Sequence, residues 1–227
     1  MSKDSYYIDR LAADRLRRCY ELAPPRVRQY LKAELDYVIE NVQPGEIVLD
    51  LGCGYGRTLS EIAARSGYVV GIDNSLESLL AARSLTSTVP NCSLVCTDAV
   101  QMGFCDNVFD LVVCIQNGIS AFHVGQRELI EESIRVTRPG GRLLFSTYSE
   151  KFWEDRLDWF RLQSEAGLLG EIDWDRTGGA EIVCKDGFRA TTVPPAGFQA
   201  LAQGLAVTAE ITEVDKSSLF CCLTVLS

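Results

Sequence analysis

The chain has 227 residues, 47% hydrophobic and 23% charged, enough to bury a core and sized for one domain with an elaboration. Lys and Arg number 22 against 31 Asp and Glu; the net charge of −9 repels polyphosphate and argues against nucleic acid as a partner. No signal-like apolar run opens the chain and no stretch approaches the roughly 18 apolar residues of a membrane span, so a cytoplasmic protein without membrane contact is expected.

Residues 5–22 place Ile8, Leu11, Ala12, Leu16 and Cys19 at helical spacing, and "APP" at 23–25 ends that helix. Pro25 suits the first turn of a second helix, whose stripe of Val27, Tyr30, Leu31, Leu35, Val38 and Ile39 stops at "QPG", 43–45. From 46 onward strands and helices alternate. The strands are Ile47–Leu51, Tyr68–Ile72, Ser93–Cys96, Phe109–Ile115 and Arg142–Tyr148; the helices are Arg57–Ser66, Leu76–Thr86 and Arg127–Thr137. Several strands are apolar throughout, as when helices cover both sheet faces. The expected fold is α/β, a doubly wound, Rossmann-like and mostly parallel sheet with helices on both faces.

After 150 the rhythm changes. A helix over 152–166 carries Trp153 and Trp159, and "AEIVCKDGFRATT" (180–192) reads as a hairpin around Lys-Asp-Gly. A short helix over 198–204 and two strands at about 206–214 and 219–226 finish the chain. Residues 151–195 thus form a small insertion between the fifth and sixth strands, a flap over the sheet's carboxyl edge. The whole chain, 1–227, is expected to be a single domain: an N-terminal helical extension and lid (1–43), a ligand-binding core (44–150), the insertion, and the last helix with a strand pair (196–227).

Nine cysteines are scattered without a CxxC, and His123 is the only histidine. That spacing does not supply a metal site, and most of the thiols are expected to be small buried hydrophobes.

The stretch "IVLDLGCGYGRTLSEIA" (47–63) carries the chemistry. Gly52, Gly54 and Gly56 follow the first strand and precede a helix, leaving main chain bare enough for a ligand to lie against. The spacing is GxGxG rather than the GxGxxG of dinucleotide folds, and Asp50 ahead of it would repel a pyrophosphate and attract an ammonium or sulfonium. Asp73 ends the second strand in "GIDNS", where a carboxylate can accept from both ribose hydroxyls. Asp98 follows the third strand in "CTDAV", within reach of an adenine amino group, and Gln116 and Asn117 follow the fourth. Singly, Asp73 could cap the helix near Leu76 and Asp98 could cap a turn; together, each just past a strand end, they mark a ligand rim.

The ordered set "VLDLGCGYGR", "GIDNS", "TDA", "FDLVVCIQNG" and "RPGGRLLFS" resembles the class I S-adenosylmethionine-dependent methyltransferases over residues 44–150. The resemblance implies a seven-stranded sheet whose last strand is antiparallel, and S-adenosyl-L-methionine as cofactor with S-adenosyl-L-homocysteine as product. It implies that Asp50 and the Gly52–Gly56 loop hold the methionine portion, Asp73 and Asn74 the ribose end, Asp98 and Ala99 the adenine, and that Gln116 lies under the substrate. "RPGG" at 138–141 would be a turn before the fifth strand.

The implied reaction is in-line methyl transfer to an oxygen or nitrogen of a small-molecule acceptor, with no metal; a homodimer is left open. His123 is the candidate general base, against a capping or surface role, with Tyr6, Tyr7 and Tyr148 as other candidates. Tyr6–Arg10 is a candidate lid. In the insertion, Trp153, Trp159, Phe160, Trp174 and Phe188 could wall the acceptor and Arg156, Arg161, Arg176 or Arg189 could meet a carboxylate, or the aromatics could be the insertion's own core. Two other classes compete: a nicotinamide-dependent oxidoreductase, and a non-catalytic S-adenosylmethionine-binding regulatory protein. A thiol acceptor chemistry at Cys184, Cys221 or Cys222 is the weakest reading.

Overall fold

The computed structural model describes residues 13–226. The expected lid at Tyr6–Arg10 and the tyrosines Tyr6 and Tyr7 lie outside them. Two helices, α1 (Ala13–Glu21) and α2 (Pro25–Asn41), precede the sheet. Then come β1 (Ile47–Leu51), α3 (Leu59–Ala63), β2 (Tyr68–Asp73), α4 (Leu76–Leu85), β3 (Cys92–Cys96), β4 (Phe109–Cys114), α5 (Gly118–Ala121), α6 (Gln126–Val136) and β5 (Thr137–Tyr148). The insertion holds a 3-10 turn at Glu150–Phe152, α7 (Trp153–Glu165), and a hairpin of β6 (Ile182–Val183) and β7 (Arg189–Ala190). The chain ends with α8 (Pro195–Ala202), β8 (Val207–Val214) and β9 (Ser218–Val225).

Seven strands form one sheet in the order β3-β2-β1-β4-β5-β9-β8. β3 through β5 pair in parallel, and β9 runs antiparallel between β5 and β8. The central strands explain this burial: every residue of "FDLVVC" in β4 is buried, because helices lie on both faces. No described helix is long and apolar enough to cross a membrane.

"RPGG" differs from expectation. It lies inside β5, where pairing jumps from Phe109↔Thr137 to Leu111↔Arg142, so the extra residues bulge out of the ladder. Gly140 supplies the positive φ of 77° that the bulge requires. The helix expected from Arg57 also starts later, at Leu59, because Gly56 to Thr58 are still turning.

The strand order reverses beside β1, and open α/β sheets bind ligands outside the carboxyl ends of the strands at such a switch point. Over that edge, α1, α2 and the insertion share an apolar cluster of their own: Cys19, Val27 and Tyr30 pack with Tyr148, Phe152, Trp159, Phe160 and Phe188. This cluster roofs the sheet edge.

Candidate active site

Under that roof lies a cavity of about 200 Å³. Its walls include Gly52, Gly54, Asp50, Asp73, Asn74, Asp98, Ala99 and Gln116, so eight of the nine residues assigned to a cofactor converge on one space. The ninth, Gly56, does not. A Cβ there would lie 3.0 Å from the Cβ of Ala82 on α4, so the missing side chain serves packing of the loop on a helix. Gly52 faces the cavity with φ 68°, and a Cβ on it would come within 2.5 Å of the Phe122 ring.

The three acids differ in setting. Asp50 is buried beneath the loop, where its Oδ2 accepts from Thr58 Oγ1 at 2.9 Å. Burial pushes its carboxyl up to about 7, against the pull of the Thr58 bond and the Arg57 charge. Asp73 accepts from the Gly54 amide at 2.9 Å through Oδ2 and from the Ser75 amide at 2.8 Å through Oδ1, tying the glycine loop to the end of β2. Burial raises its pKa, opposed by those two amides. The cap of α4 is Ser75, whose hydroxyl accepts from the Ser78 amide, so capping is not the task of Asp73. Asp98 is exposed on the rim, and its Oδ1 accepts from the Val100 amide at 3.0 Å in a local turn.

After β4 the backbone enters the left-handed region at Gln116 (φ 55°) and Asn117 (φ 62°). The Gln116 amide donates to Glu34 Oε2 at 3.1 Å, and its side-chain oxygen accepts from the Tyr20 hydroxyl. Asn117 is buried and structural: it donates to the Thr191 carbonyl and accepts from Thr147 Oγ1. Glu34 is fully buried on α2, and desolvation raises its pKa to about 7 despite nearby Ser146, Tyr30 and Arg57.

Glu34, Tyr20, Arg57, Thr58 and Phe122 were missed by sequence reasoning. For Glu34 a signal existed, since a carboxylate at 34 interrupts the apolar face marked by Tyr30 and Val38 one turn to either side.

Phe122 and Val124 line the cavity, whereas His123 between them is exposed and not among the lining residues, with φ 53° at the end of α5.

The insertion's arginines are placed elsewhere too. Arg156 is buried and clamps the carbonyls of Ala180 and Ala190, while Arg161, Arg176 and Arg189 sit on the surface beside Asp158 and Glu165, Asp173 and Glu181 respectively. None lines the cavity. Of the aromatics, Trp159, Phe160 and Phe188 do line it, with Tyr148, whereas Trp174 is 57% exposed and Trp153 packs against the roof cluster without lining the cavity. Burial pushes the Tyr148 hydroxyl up to about 12, so it remains protonated. Cys184, Cys221 and Cys222 stand away from the cavity; Cys19 and Cys53 line it, both with pKa values raised by burial, as inert thiols.

α1 closes this space. Leu16 lies against Gly54, the Ala13 amide donates to Ser78 Oγ at 3.2 Å, Trp159 Nε1 donates to the Cys19 carbonyl at 2.8 Å, and Arg15 reaches the carbonyls of Gly167 and Leu168.

An adenosyl donor fits these residues. The lining combines the Asp73 carboxylate, bare main chain at Gly52 and Gly54, and Asp98 with Ala99, and a Cβ at Gly52 would collide with the Phe122 ring.

Residues 48–141 match the family model described as a methyltransferase domain. The 2-methyl-6-phytyl-1,4-hydroquinone methyltransferase of Synechocystis sp. is 28% identical over 58% of this chain and 46% of its own length. A demethylmenaquinone methyltransferase of Corynebacterium urealyticum is 37% identical over 48% of this chain and 44% of its own. The chain thus spans less than half the length of these relatives. Among solved structures, N-methyltransferase NodS from Bradyrhizobium japonicum, in complex with S-adenosyl-L-homocysteine, has a TM-score of 0.65 at 17% identity, covering 96% of this chain and 95% of that one. The PH0226 protein from Pyrococcus horikoshii has a TM-score of 0.66 at 21% identity, covering 99% of each chain. At those identities the likeness is one of fold.

Proposed function

We propose that residues 48–141, which match the methyltransferase-domain model, form a class I S-adenosylmethionine-dependent methyltransferase domain, and that this chain transfers the methyl group to an oxygen or nitrogen of a small, largely apolar aromatic acceptor. The observation that carries the reading is the convergence of Gly52, Gly54, Asp73, Asp98, Ala99 and Gln116 on one cavity that is also lined by Tyr148, Trp159, Phe160 and Phe188. The relatives named for a hydroquinone and for demethylmenaquinone support an aromatic ring as acceptor.

When bound, the cofactor supplies an activated methyl group on a sulfonium, so the protein needs no nucleophile of its own. Asp73 holds the nucleoside by accepting from its hydroxyls, and the same carboxylate keeps the Gly54 amide in place. Gln116, fixed by Glu34 through its amide and by Tyr20 through its side chain, sets the floor between donor and acceptor ends. The aromatic wall orients the ring and keeps water out; positioning of this kind is worth up to ~7–11 kcal/mol of barrier in favourable cases. With His123 outside, an acceptor whose own proton is acidic, such as a phenol, suits the site better than one that needs a strong base. The insertion, 151–195, is the substrate selector in this reading.

The test is a panel of phenols, quinols and aromatic amines incubated with methyl-labelled S-adenosylmethionine, with mass spectrometry locating the label. Label on an oxygen or nitrogen of an aromatic acceptor is expected. Label on carbon would correct the atom, and binding without transfer to any acceptor would favour the regulatory reading.

A further inference from the structure

Arg57 follows the third glycine directly and is the one positively charged residue lining the cavity among those described. Its Nη2 is buried with no hydrogen-bond partner, and among the described residues its guanidinium makes no hydrogen bond and no ion pair. The Tyr20 ring centroid lies 5.3 Å from the guanidinium carbon, a cation–π contact that covers one face of the group and uses none of its N–H donors. Arg57 is partly buried, and a guanidinium cannot discharge by losing its proton, so leaving its buried Nη2 unpaired is costly. None of the neighbouring carboxylates bonds it: Asp50 Oδ2 accepts from Thr58, Asp73 accepts from Gly54 and Ser75, and Glu34 Oε2 accepts from the Gln116 amide while its Oε1 is buried without a partner. Burial leaves Asp50 and Glu34 both at about 7, so near neutral pH they cancel only part of the Arg57 charge.

We infer that Arg57 is the anion anchor of this cavity and takes a carboxylate of a bound ligand in a charge-assisted, forked contact. The inference rests on the proposed function and deepens it. Two ligands offer that chemistry at this place: the amino acid end of the donor, and an acidic group on the acceptor. The planar fork matches a carboxylate through two parallel N–H bonds, which a lysine matches only as a point charge.

The experiment is calorimetric titration of wild type, Arg57→Gln and Arg57→Lys with S-adenosylhomocysteine, with methylthioadenosine, which lacks the amino acid group, and with benzoate on the homocysteine-saturated protein. Thermal melting checks that each variant is folded, and Arg57→Lys, which keeps the charge, guards against a folding failure in Arg57→Gln. If the donor supplies the carboxylate, Arg57→Gln loses roughly ten- to hundredfold in S-adenosylhomocysteine affinity, Arg57→Lys loses less, and methylthioadenosine binds all three alike. If the acceptor supplies it, S-adenosylhomocysteine affinity holds and benzoate binding disappears in Arg57→Gln. Folded variants that keep both affinities overturn the assignment. A wild type that binds neither nucleoside removes the proposed function and the assignment together.

Discussion

The carboxylate of Asp73 joins two tasks, tying the glycine loop and facing the nucleoside end of the cavity. Asp73→Ala is therefore expected to weaken S-adenosylhomocysteine binding by about 1–3 kcal/mol, the range for a buried polar pair left unmatched. Unchanged affinity by calorimetry would remove it from the site. His123→Asn is expected to leave turnover and donor affinity as they are, since the side chain is outside the cavity and Asn tolerates the left-handed backbone there; a large fall in turnover would restore the histidine as a base. The glycines and acids were legible because each follows a strand end directly in sequence. Glu34 and Tyr20 were not assigned, because the helices that bring them to Gln116 are 82 and 96 residues away along the chain. The placement of His123 relative to Phe122 and Val124 was not legible, because its own left-handed backbone decides which of three consecutive side chains lines the cavity.

Among the elements, α1 matters most for access, since it touches the glycine loop, α4, Gln116 and the insertion at once. Trp159→Phe keeps the ring but removes the bond to the Cys19 carbonyl, worth about 1 kcal/mol. Faster hydrogen exchange in residues 13–21 and a severalfold weaker donor affinity are expected, with the sheet's protection unchanged; identical exchange in α1 would show that the helix is held by other contacts. The strands of the core were read to within a residue or two at most ends, because apolar runs bounded by turn residues leave little choice. The "RPGG" segment was not, since a bulge keeps its place in the ladder while carrying the residues of a turn. α5, four residues long, has too short a period to show in the sequence.

At the scale of the molecule, two buried carboxyls bind protons more tightly in the folded chain than in the unfolded one. Glu34 rises from 4.5 and Asp50 from 3.8, each to about 7, through burial. Folding is thus favoured below the unfolded values and loses stability as pH rises through about 7, by an amount on the order of a few kcal/mol. Melting of the ligand-free protein from about pH 5 to about pH 8 should show a falling Tm, and Glu34→Gln should flatten that fall. A Tm that rises over the same range would contradict the burial of these groups as acids. The parallel, doubly wound sheet was legible from the alternation of strands and helices, whereas the roof was not, because residues 13–42 and 148–190 meet only once the chain has closed around β5.

The central claim is that one cavity, floored by bare main chain and edged by Asp73, receives the S-adenosyl donor. Co-crystallisation with S-adenosylhomocysteine tests it most directly. Both ribose hydroxyls are expected within hydrogen-bond distance of the Asp73 carboxylate, with the amino acid tail over Gly52 and Gly54. An empty cavity at saturating ligand, or NADH bound there in its place, would contradict it.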